Sequence, residues 1–152
     1  MLFRNAVNSD ANKLDNLLTK LIEDEKNYDE NCESVNVKDF YINYIDDPTK
    51  YFEVCEDNNE IVGYIYAILN NDTAKIDALF IAEKYRNKGI ATKLIEDFIN
   101  FAKDNNINTI TINVLENNKK AKNLYSKYFR LNKKDNLKEE LIMEVCDNNE
   151  RQ

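Results

Sequence analysis

The strongest constraint on the fold is a change in apolar spacing at Gly89. Residues 74–81 are rich in apolar side chains and are typical of a β-strand, and a polar loop follows them at 83–89. Beyond Gly89 the apolar residues recur at helical spacing, on one face: Ala91, Leu94, Ile95, Phe98 and Ala102. The sequence therefore predicts a strand, a loop and a helix in direct succession.

The remaining apolar patterns predict a sheet with several helices. Two runs of β-branched and aromatic residues, 51–55 and 61–69, flank a polar turn and predict a hairpin. In chain order the predicted elements are a strand and a helix within 3–22, a helix over 37–45, the hairpin, the strand and helix around Gly89, a strand over 110–114, a helix over 121–128 and a strand over 141–145. This order predicts an α/β fold, a mixed sheet with helices on both faces.

Length and composition favour one domain and exclude several kinds of chemistry. The 152 residues contain no internal repeat, which predicts a single domain over 1–147 and a polar tail over 148–152. The absence of His excludes His-based catalysis and His metal clusters. Cys32, Cys55 and Cys146 form no C-x-x-C pair, so we expect no zinc site or disulfide framework, inert thiols and a reduced, cytoplasmic setting.

The charge balance limits the partners. A net charge of −7 and a pI near 4.8 argue against binding to a nucleic-acid backbone, which relies on cations. No apolar run approaches the roughly 18 residues of a membrane span, so we expect no membrane insertion. The segment from Glu23 to Glu33 holds six acidic residues and one Lys, and it predicts an exposed connection that could attract a cationic ligand.

Residues 86–93, between the predicted strand and helix, are the most informative segment. Backbone N–H groups at such a helix start bind anions, with help from the helix dipole. Gly89 permits a positive φ, Ala91 keeps the wall small, and Arg86, Lys88 and Lys93 add positive charge. The spacing matches neither G-x-x-x-x-G-K-[ST] nor G-x-G-x-x-G, so the segment predicts a pyrophosphate cradle of another kind.

Three segments carry a resemblance to a known family. Arg86-x-x-Gly89-x-Ala91 resembles the acetyl-CoA loop of the GCN5-related N-acetyltransferase (GNAT) family, and Leu79 to Tyr85 resembles the strand and turn before it. Asn118-x-x-Ala121-x-x-Leu124-Tyr125 is similar to a second family motif, and Phe3 to Ala6 with Asp10 looks like the family's first strand and helix start. The resemblance implies a GNAT fold, a mostly antiparallel, splayed sheet with helices on both faces.

The resemblance also implies acetyl-CoA as cosubstrate, without a metal. Its pantetheine arm would lie along β-strand main chain, where a free N–H polarises the thioester carbonyl, and its pyrophosphate would lie on the amides at the helix start. Tyr125 matches the residue that protonates the departing thiolate. The implied cofactor-binding residues are Leu79, Phe80, Ile81, Arg86, Asn87, Lys88, Gly89, Ile90, Ala91, Thr92, Lys93, Asn118, Ala121 and Tyr125.

An amine acceptor needs a base, because a primary amine is mostly protonated at neutral pH. Asp77 is the candidate, since it resembles the carboxylate that polyamine acetyltransferases place on this strand. Strand alternation predicts that Asp77, Leu79 and Ile81 share one face. Glu116, Tyr66 and a water chain are alternatives.

The resemblance therefore implies an N-acetyltransferase that acts by direct attack in a ternary complex, with a small cationic amine or a polyamine as the favoured acceptor. A protein N-terminus, an aminoglycoside and an inactive acyl-CoA-binding regulatory domain are alternatives, and a homodimer is possible. Phe129 stands where the family has Gly, which predicts a remodelled turn before the last hairpin.

Overall fold

Seven strands form one sheet in the computed structural model, which describes residues 1–145. The strands are β1 Leu2–Asn5, β2 Lys50–Asp57, β3 Glu60–Asn70, β4 Thr73–Ile81, β5 Thr109–Leu115, β6 Arg130–Asp135 and β7 Lys138–Glu144, and the helices are α1 Ala11–Glu25, α2 Ile90–Asp104 and α3 Lys119–Tyr125. Their order in the sheet is β1-β2-β3-β4-β5-β7-β6, and β4 with β5 is the parallel pair among these described strands. The predicted mixed sheet is confirmed, whereas Cys146, the domain boundary at 147 and the tail 148–152 lie outside the described residues.

Asparagine residues form the turns between the central strands. Asn58 and Asn59 have φ values of 51° and 65°, the backbone that a two-residue turn between β2 and β3 requires. Asn71, at φ 57°, performs the same role between β3 and β4. The predicted hairpin is confirmed, with its turn at these asparagines.

The helices bury two separate apolar clusters against the sheet. On one face, Leu14 and Leu17 of α1 pack on aromatic and small residues of β2, β3 and β4. On the other face, Leu94, Ile95 and Phe98 of α2 are fully buried and pack on the opposite side of the same strands. Helix α3 adds Tyr125 to this second cluster, so the helices cover both faces as predicted.

The helix predicted over residues 37–45 is wrong. The segment contains one short 3₁₀ turn, Tyr41–Asn43. Asp39 has a φ of 53°, which ends any helix, and the buried carboxylate of Asp15 on α1 accepts the Tyr41 amide at 3.0 Å. The amides of Val37, Phe40 and Tyr41 therefore donate to side chains of α1, and only the amides of residues 43–45 form turn bonds within the segment.

The sequence patterns missed strand β6. All six of its residues are exposed, and all but Leu131 are polar, so no alternating apolar pattern marks the strand. It lies at the edge of the sheet and pairs with β7 alone. Phe129, just before it, is 6% exposed and packs edge-on against Tyr125 with ring centroids 6.3 Å apart. Its φ is not positive, so a glycine is not required at this turn.

A buried carboxyl group lies on the α2 side of β2. Glu53 is 9% exposed, and its Oε1 has no hydrogen-bond partner within residues 1–145. Burial and a hydrogen bond with Asp97 of α2 raise the pKa of Glu53 to about 8. A carboxyl group whose pKa is higher in the folded state stabilises the fold while the group is protonated. For Glu53 this stabilisation is lost as the pH rises from 4.5, the ordinary pKa of a Glu side chain, to about 8, its pKa in the folded protein.

We predict that Glu53→Gln leaves the free energy of unfolding almost unchanged near pH 4.5 and raises it at pH 8.5, because Gln cannot ionise. The gain should be about 2–4 kcal/mol, because each unit by which folding raises a pKa corresponds to about 1.4 kcal/mol and coupling to Asp97 reduces the total. Chemical denaturation at the two pH values measures it. Glu60→Gln, at an exposed position of the same hairpin, is the control and should show no such difference; equal pH profiles for Glu53→Gln and wild type would contradict the prediction.

Candidate active site

A cleft opens where β4 and β5 separate. Their parallel pairing covers Thr73 to Ile76 on β4 and stops there, although both strands continue. The cleft has a volume of about 1000 Å³ and lies at the carboxyl ends of the two strands, where α/β sheets commonly hold ligands. One wall is β4 with the start of α2, another is α3, and the C-terminal end of α1 closes a third side.

Asp77 is the extra residue of a β-bulge in β4. Tyr66 on β3 pairs with Ala78, whereas the next residue, Ala67, pairs with Ile76, so Asp77 has no partner on β3. Ile76 packs in the cluster under α2, but Ala78 packs in the cluster under α1, so the side-chain alternation changes at this point.

Asp77 lies on the α1 side of the sheet, opposite Ile76, and the bulge moves Leu79 and Ile81 to the other face. Tyr41, Tyr64 and Tyr66 belong to the α1-side cluster. Burial is the main cause that raises their pKa values, and the negative charge of Asp77 raises all three further. The prediction that Asp77 shares a face with Leu79 and Ile81 is therefore wrong, since those two pack on the α2 side. Asp77 is exposed and lines the cleft.

The edge of β4 that faces the cleft offers unpaired main-chain groups. The Ala82 amide donates to the Val62 carbonyl of β3 at 2.8 Å. Successive residues of a strand direct their N–H and C=O groups to alternate edges, so those of Leu79 and Ile81 point away from β3 and into the cleft. Phe80 lies on the wall, but its main chain faces β3. The Ile81 carbonyl accepts Nε of Arg86 at 2.8 Å, which leaves the Leu79 groups and the Ile81 N–H facing the cleft.

Helix α2 begins at the cleft. Gly89 precedes it with φ +84°, and Asn87 has φ +62°, so the loop bends into the helix through left-handed backbone. A Cβ added at Gly89 would meet nothing within 4 Å, so open space lies above it. Ile90, Ala91 and Thr92 continue the wall, which places the first amides of a 15-residue helix at the cleft.

The structure brings only one of the three predicted basic residues to the cleft. Arg86 lines it, but the Lys88 ammonium lies 5.8 Å from the centre of the Tyr85 ring, and Lys93 pairs with Asp97 at 2.6 Å. Lys75 and Lys138 line the cleft, and so do two further lysines that the sequence patterns did not indicate, Lys120 and Lys127. Lys120 lies in α3 and Lys127 just after it. The fold, and not a local sequence pattern, places these two lysines opposite the start of α2.

Helix α3 presents one face to the cleft. Asn118 caps the helix, its Oδ1 accepting the Ala121 amide at 3.1 Å, and Asn118, Ala121 and Tyr125 all line the cleft. Tyr125 is 8% exposed, and its hydroxyl makes no hydrogen bond with any residue from 1 to 145. Desolvation raises the pKa of Tyr125 to about 12, so the hydroxyl keeps its proton at neutral pH and is available as a donor.

Glu25 faces Asp77 from the end of α1. It lines the cleft with Tyr28 and with Lys138 of β7. Burial raises the pKa of Glu25, and the charges of Asp29 and Asp77 raise it further, while Lys138 lowers it. In the sequence, only the acidic segment 23–33 indicates a role for Glu25, and that segment does not distinguish Glu25 from its acidic neighbours.

The other candidate bases are engaged elsewhere. Glu116 forms an ion pair with Lys134 at 2.5 Å, and Tyr66 is 2% exposed and stacks on Phe52. Cys32 and Cys55 are free thiols whose pKa values are raised, chiefly by desolvation, so neither is activated as a nucleophile. The cytoplasmic location and the homodimer stay predictions.

No group of three or more Cys, Asp or Glu side chains within residues 1–145 is arranged to hold a metal ion. No helix in the same range is long and apolar enough to cross a membrane.

Solved structures with the same fold include several acetyltransferases. The N-acetyltransferase PaiA from Thermoplasma acidophilum, in complex with coenzyme A, is 15% identical with a TM-score of 0.74, over 94% of this chain and 98% of that one. A GNAT-family acetyltransferase from Staphylococcus aureus Mu50 is 20% identical with a TM-score of 0.75, over 95% and 99%. A GNAT-family acetyltransferase from Elizabethkingia anophelis with acetyl-CoA bound is 24% identical with a TM-score of 0.58, over 64% and 77%.

A sequence comparison gives the family. No curated protein matches the chain. The model of the acetyltransferase (GNAT) family matches residues 16–129, which is more than half of the chain and includes β4, the loop before α2, and α3 up to Tyr125. The chain therefore belongs to the GNAT family of acetyltransferases.

Proposed function

We propose that this protein transfers the acetyl group of acetyl-CoA to a primary amine, with a small cationic amine or a polyamine as acceptor. The observation that carries the proposal is the unpaired edge of β4, which lies between the start of α2 and the Tyr125 hydroxyl and continues to the carboxylate of Asp77. A thioester on this edge would have anion-binding amides at one end and a carboxylate at the other.

The cofactor side follows from the main-chain geometry. The pantetheine arm would hydrogen-bond to the open groups of Leu79 and Ile81 like an added strand, and the Ile81 N–H is a donor for the thioester oxygen. The pyrophosphate would lie on the amides from Lys88 to Thr92, at the positive end of the α2 dipole. Lys120 and Lys127 supply positive charge on the facing wall.

The chemical step needs one proton donor and one acceptor. The amine nitrogen forms a bond to the thioester carbon, the carbon–sulfur bond breaks, and the CoA thiolate takes a proton from Tyr125. An acceptor that arrives as an ammonium loses one proton to Asp77, directly or through water, before it attacks. The second proton, lost once the nitrogen–carbon bond has formed, passes through water to the Tyr125 phenolate. Because Tyr125 is desolvated and has no other hydrogen-bond partner in the described chain, its proton is free for the thiolate.

The acceptor side favours a cation. Asp77 is exposed in the cleft and Glu25 faces it, while Lys75 and Lys138 also line the cleft, and the chain as a whole carries a charge of −7. Two carboxylates at one end of a cleft attract an ammonium group and would hold a second amine of a polyamine away from the thioester. These charges support the polyamine over a neutral amine.

We predict that acetyl-CoA raises the melting temperature by roughly 5–10 °C at a hundred times its Kd, because it binds only the folded state. Gly89→Glu should remove the shift, since its carboxylate would occupy the open space above the helix start and repel the pyrophosphate. Gly89→Gln is the matched control for size and for strain at φ +84°, and it should keep part of the shift. A full shift in Gly89→Glu would place the cofactor elsewhere.

We predict that Tyr125→Phe lowers kcat by roughly 10²-fold or more and leaves acetyl-CoA affinity nearly unchanged, as expected for loss of a positioned general acid. Steady-state kinetics and a thermal-shift titration measure the two quantities. Tyr128→Phe is the control, because the Tyr128 hydroxyl donates to Glu96 on α2 and does not line the cleft. Full turnover in Tyr125→Phe would show that the thiolate leaves without this proton.

We predict that a polyamine gives a higher kcat/KM than an aminoglycoside, a peptide N-terminus or a neutral amine, with release of the free CoA thiol as the measurement. Asp77→Asn should lower kcat/KM for the polyamine about tenfold or more, the effect of a lost charge-assisted hydrogen bond. Asp72→Asn, in the turn before β4, is the control. If no amine releases thiol although acetyl-CoA raises the melting temperature, the chain is an acyl-CoA-binding domain and not an enzyme.

A further inference from the structure

Arg86 and Asp24 form an ion pair across the cleft. Nη2 of Arg86, in the loop before α2, lies 2.8 Å from Oδ2 of Asp24, in the last turn of α1. The two residues are 62 positions apart in the sequence. The contact therefore joins the wall that ends in Glu25 to the wall that begins α2.

The guanidinium of Arg86 is fixed on three sides. Its Nε donates to the Ile81 carbonyl at 2.8 Å, its Nη2 donates to Asp24, and it lies over the Phe80 ring at 5.3 Å from the ring centre. These contacts direct the side chain along the end of β4 towards α1. Arg86 is thus engaged with protein groups, although the sequence motif suggests a phosphate contact.

The last turn of α1, residues 22–25, has few other contacts that hold it against the rest of the molecule, because the apolar packing of the helix ends with Leu18 and Leu21, which are partly buried against the α1-side cluster. The buried residues of the helix are Ala11, Leu14, Asp15 and Leu17, all in its first half. Apart from the backbone hydrogen bonds within α1, the other hydrogen bonds and ion pairs of residues 22–30 in the described chain join them to residues between 22 and 34. Apolar packing therefore holds α1 as far as Leu21, whereas the Asp24–Arg86 pair connects its last turn to the β4 side of the cleft.

We propose that the Asp24–Arg86 pair is a positioning pair, which holds the last turn of α1 so that Glu25 faces the acceptor end of the cleft. The inference rests on the proposed function, because it assigns Glu25 to acceptor binding. This proposal gives Arg86 a role distinct from phosphate binding. Through its hydrogen bonds to Ile81 and Asp24, Arg86 sets the distance between the open edge of β4, where the cofactor would lie, and the end of α1, where the acceptor would bind. An acceptor binds the positioned wall more tightly because less conformational freedom is lost on binding.

The pair is half-exposed, so its contribution is small but measurable. The side chains of Arg86 and Asp24 are 42% and 44% exposed, and exposed ion pairs have weak coupling that salt reduces. We expect Asp24→Ala to raise KM for the amine acceptor about two- to fivefold at low salt. Its kcat and its acetyl-CoA affinity should be unchanged.

Three variants test the assignment, with acceptor KM, kcat and acetyl-CoA Kd as the measurements. Glu23→Ala removes an adjacent acidic residue whose described contacts stay within the same segment, and it should leave KM unchanged. The charge exchange that combines Asp24→Arg with Arg86→Asp should restore much of the KM lost in Asp24→Ala. An equal KM increase in Glu23→Ala would mean that only total charge matters, and tighter acetyl-CoA binding in Asp24→Ala would mean that Asp24 competes with a phosphate for Arg86. Either result overturns the proposal.

Hydrogen exchange separates this proposal from the proposed function, because it needs no acceptor. In the protein without ligand, Asp24→Ala should speed amide exchange at residues 22–28 at least threefold and leave residues 14–18 unchanged. Unchanged exchange at 22–28 would refute the positioning pair even if amines are acetylated. Faster exchange there without turnover of any amine would retain the pair as the restraint on α1 and refute the proposed function alone.

Discussion

The bulge at Asp77 is the constraint on which the site depends. Before it, β4 pairs with β5 and directs Ile76 to the α2 side; after it, Ala78 and Phe80 fill the cluster under α1. With uninterrupted alternation from Ile76, Ala78 and Phe80 would leave that cluster, and Leu79 and Ile81 would share the face of Asp77. One added residue thus places Asp77 and Leu79 on opposite faces, at the point where β4 loses its partner β5 and an open strand edge begins.

The two glycines of the chain both serve this same end of β4. A Cβ at Gly63 on β3 would lie 2.8 Å from Cδ1 of Ile81 and 3.2 Å from the Phe80 carbonyl oxygen, so a side chain there would push the strand outwards. Gly89 supplies the φ of +84° from which α2 starts. Elsewhere in the described residues Asn and one Asp occupy the left-handed turns, a conformation those two residue types tolerate better than others. Glycine remains only where a side chain would fill space that the strands or a ligand need.

Sequence patterns predict those parts of the fold in which apolar residues recur at a regular period. They fail where a contact with one residue distant in the sequence determines the local structure. Strand β4 and helix α2 were predicted well because burial imposes periods of two and 3.6 on them. Residues 37–45 have a helical pattern, yet Asp15 accepts the amides of Phe40 and Tyr41; β6 has no apolar pattern because it is an exposed edge. In the site, the motif predicted which residues border the cleft, but the directions of Lys88 and Lys93 depend on Tyr85 and Asp97, which no local pattern reveals.

The distribution of charge within the cleft resolves an apparent conflict between an acidic chain and an anionic cofactor. The net charge of −7 would repel a phosphate group at long range, but screening limits such repulsion to about 10 Å at 0.1 M salt, so the nearest groups decide. Near the α2 start these are backbone amides, Lys120 and Lys127; near the bulge they are Asp77 and Glu25, with Lys75 and Lys138 in the same lining. Arg86 adds little to the first group, because Asp24 already balances its charge. The helix amides must therefore supply most of the attraction for the pyrophosphate, because the charged side chains of the cleft largely balance one another.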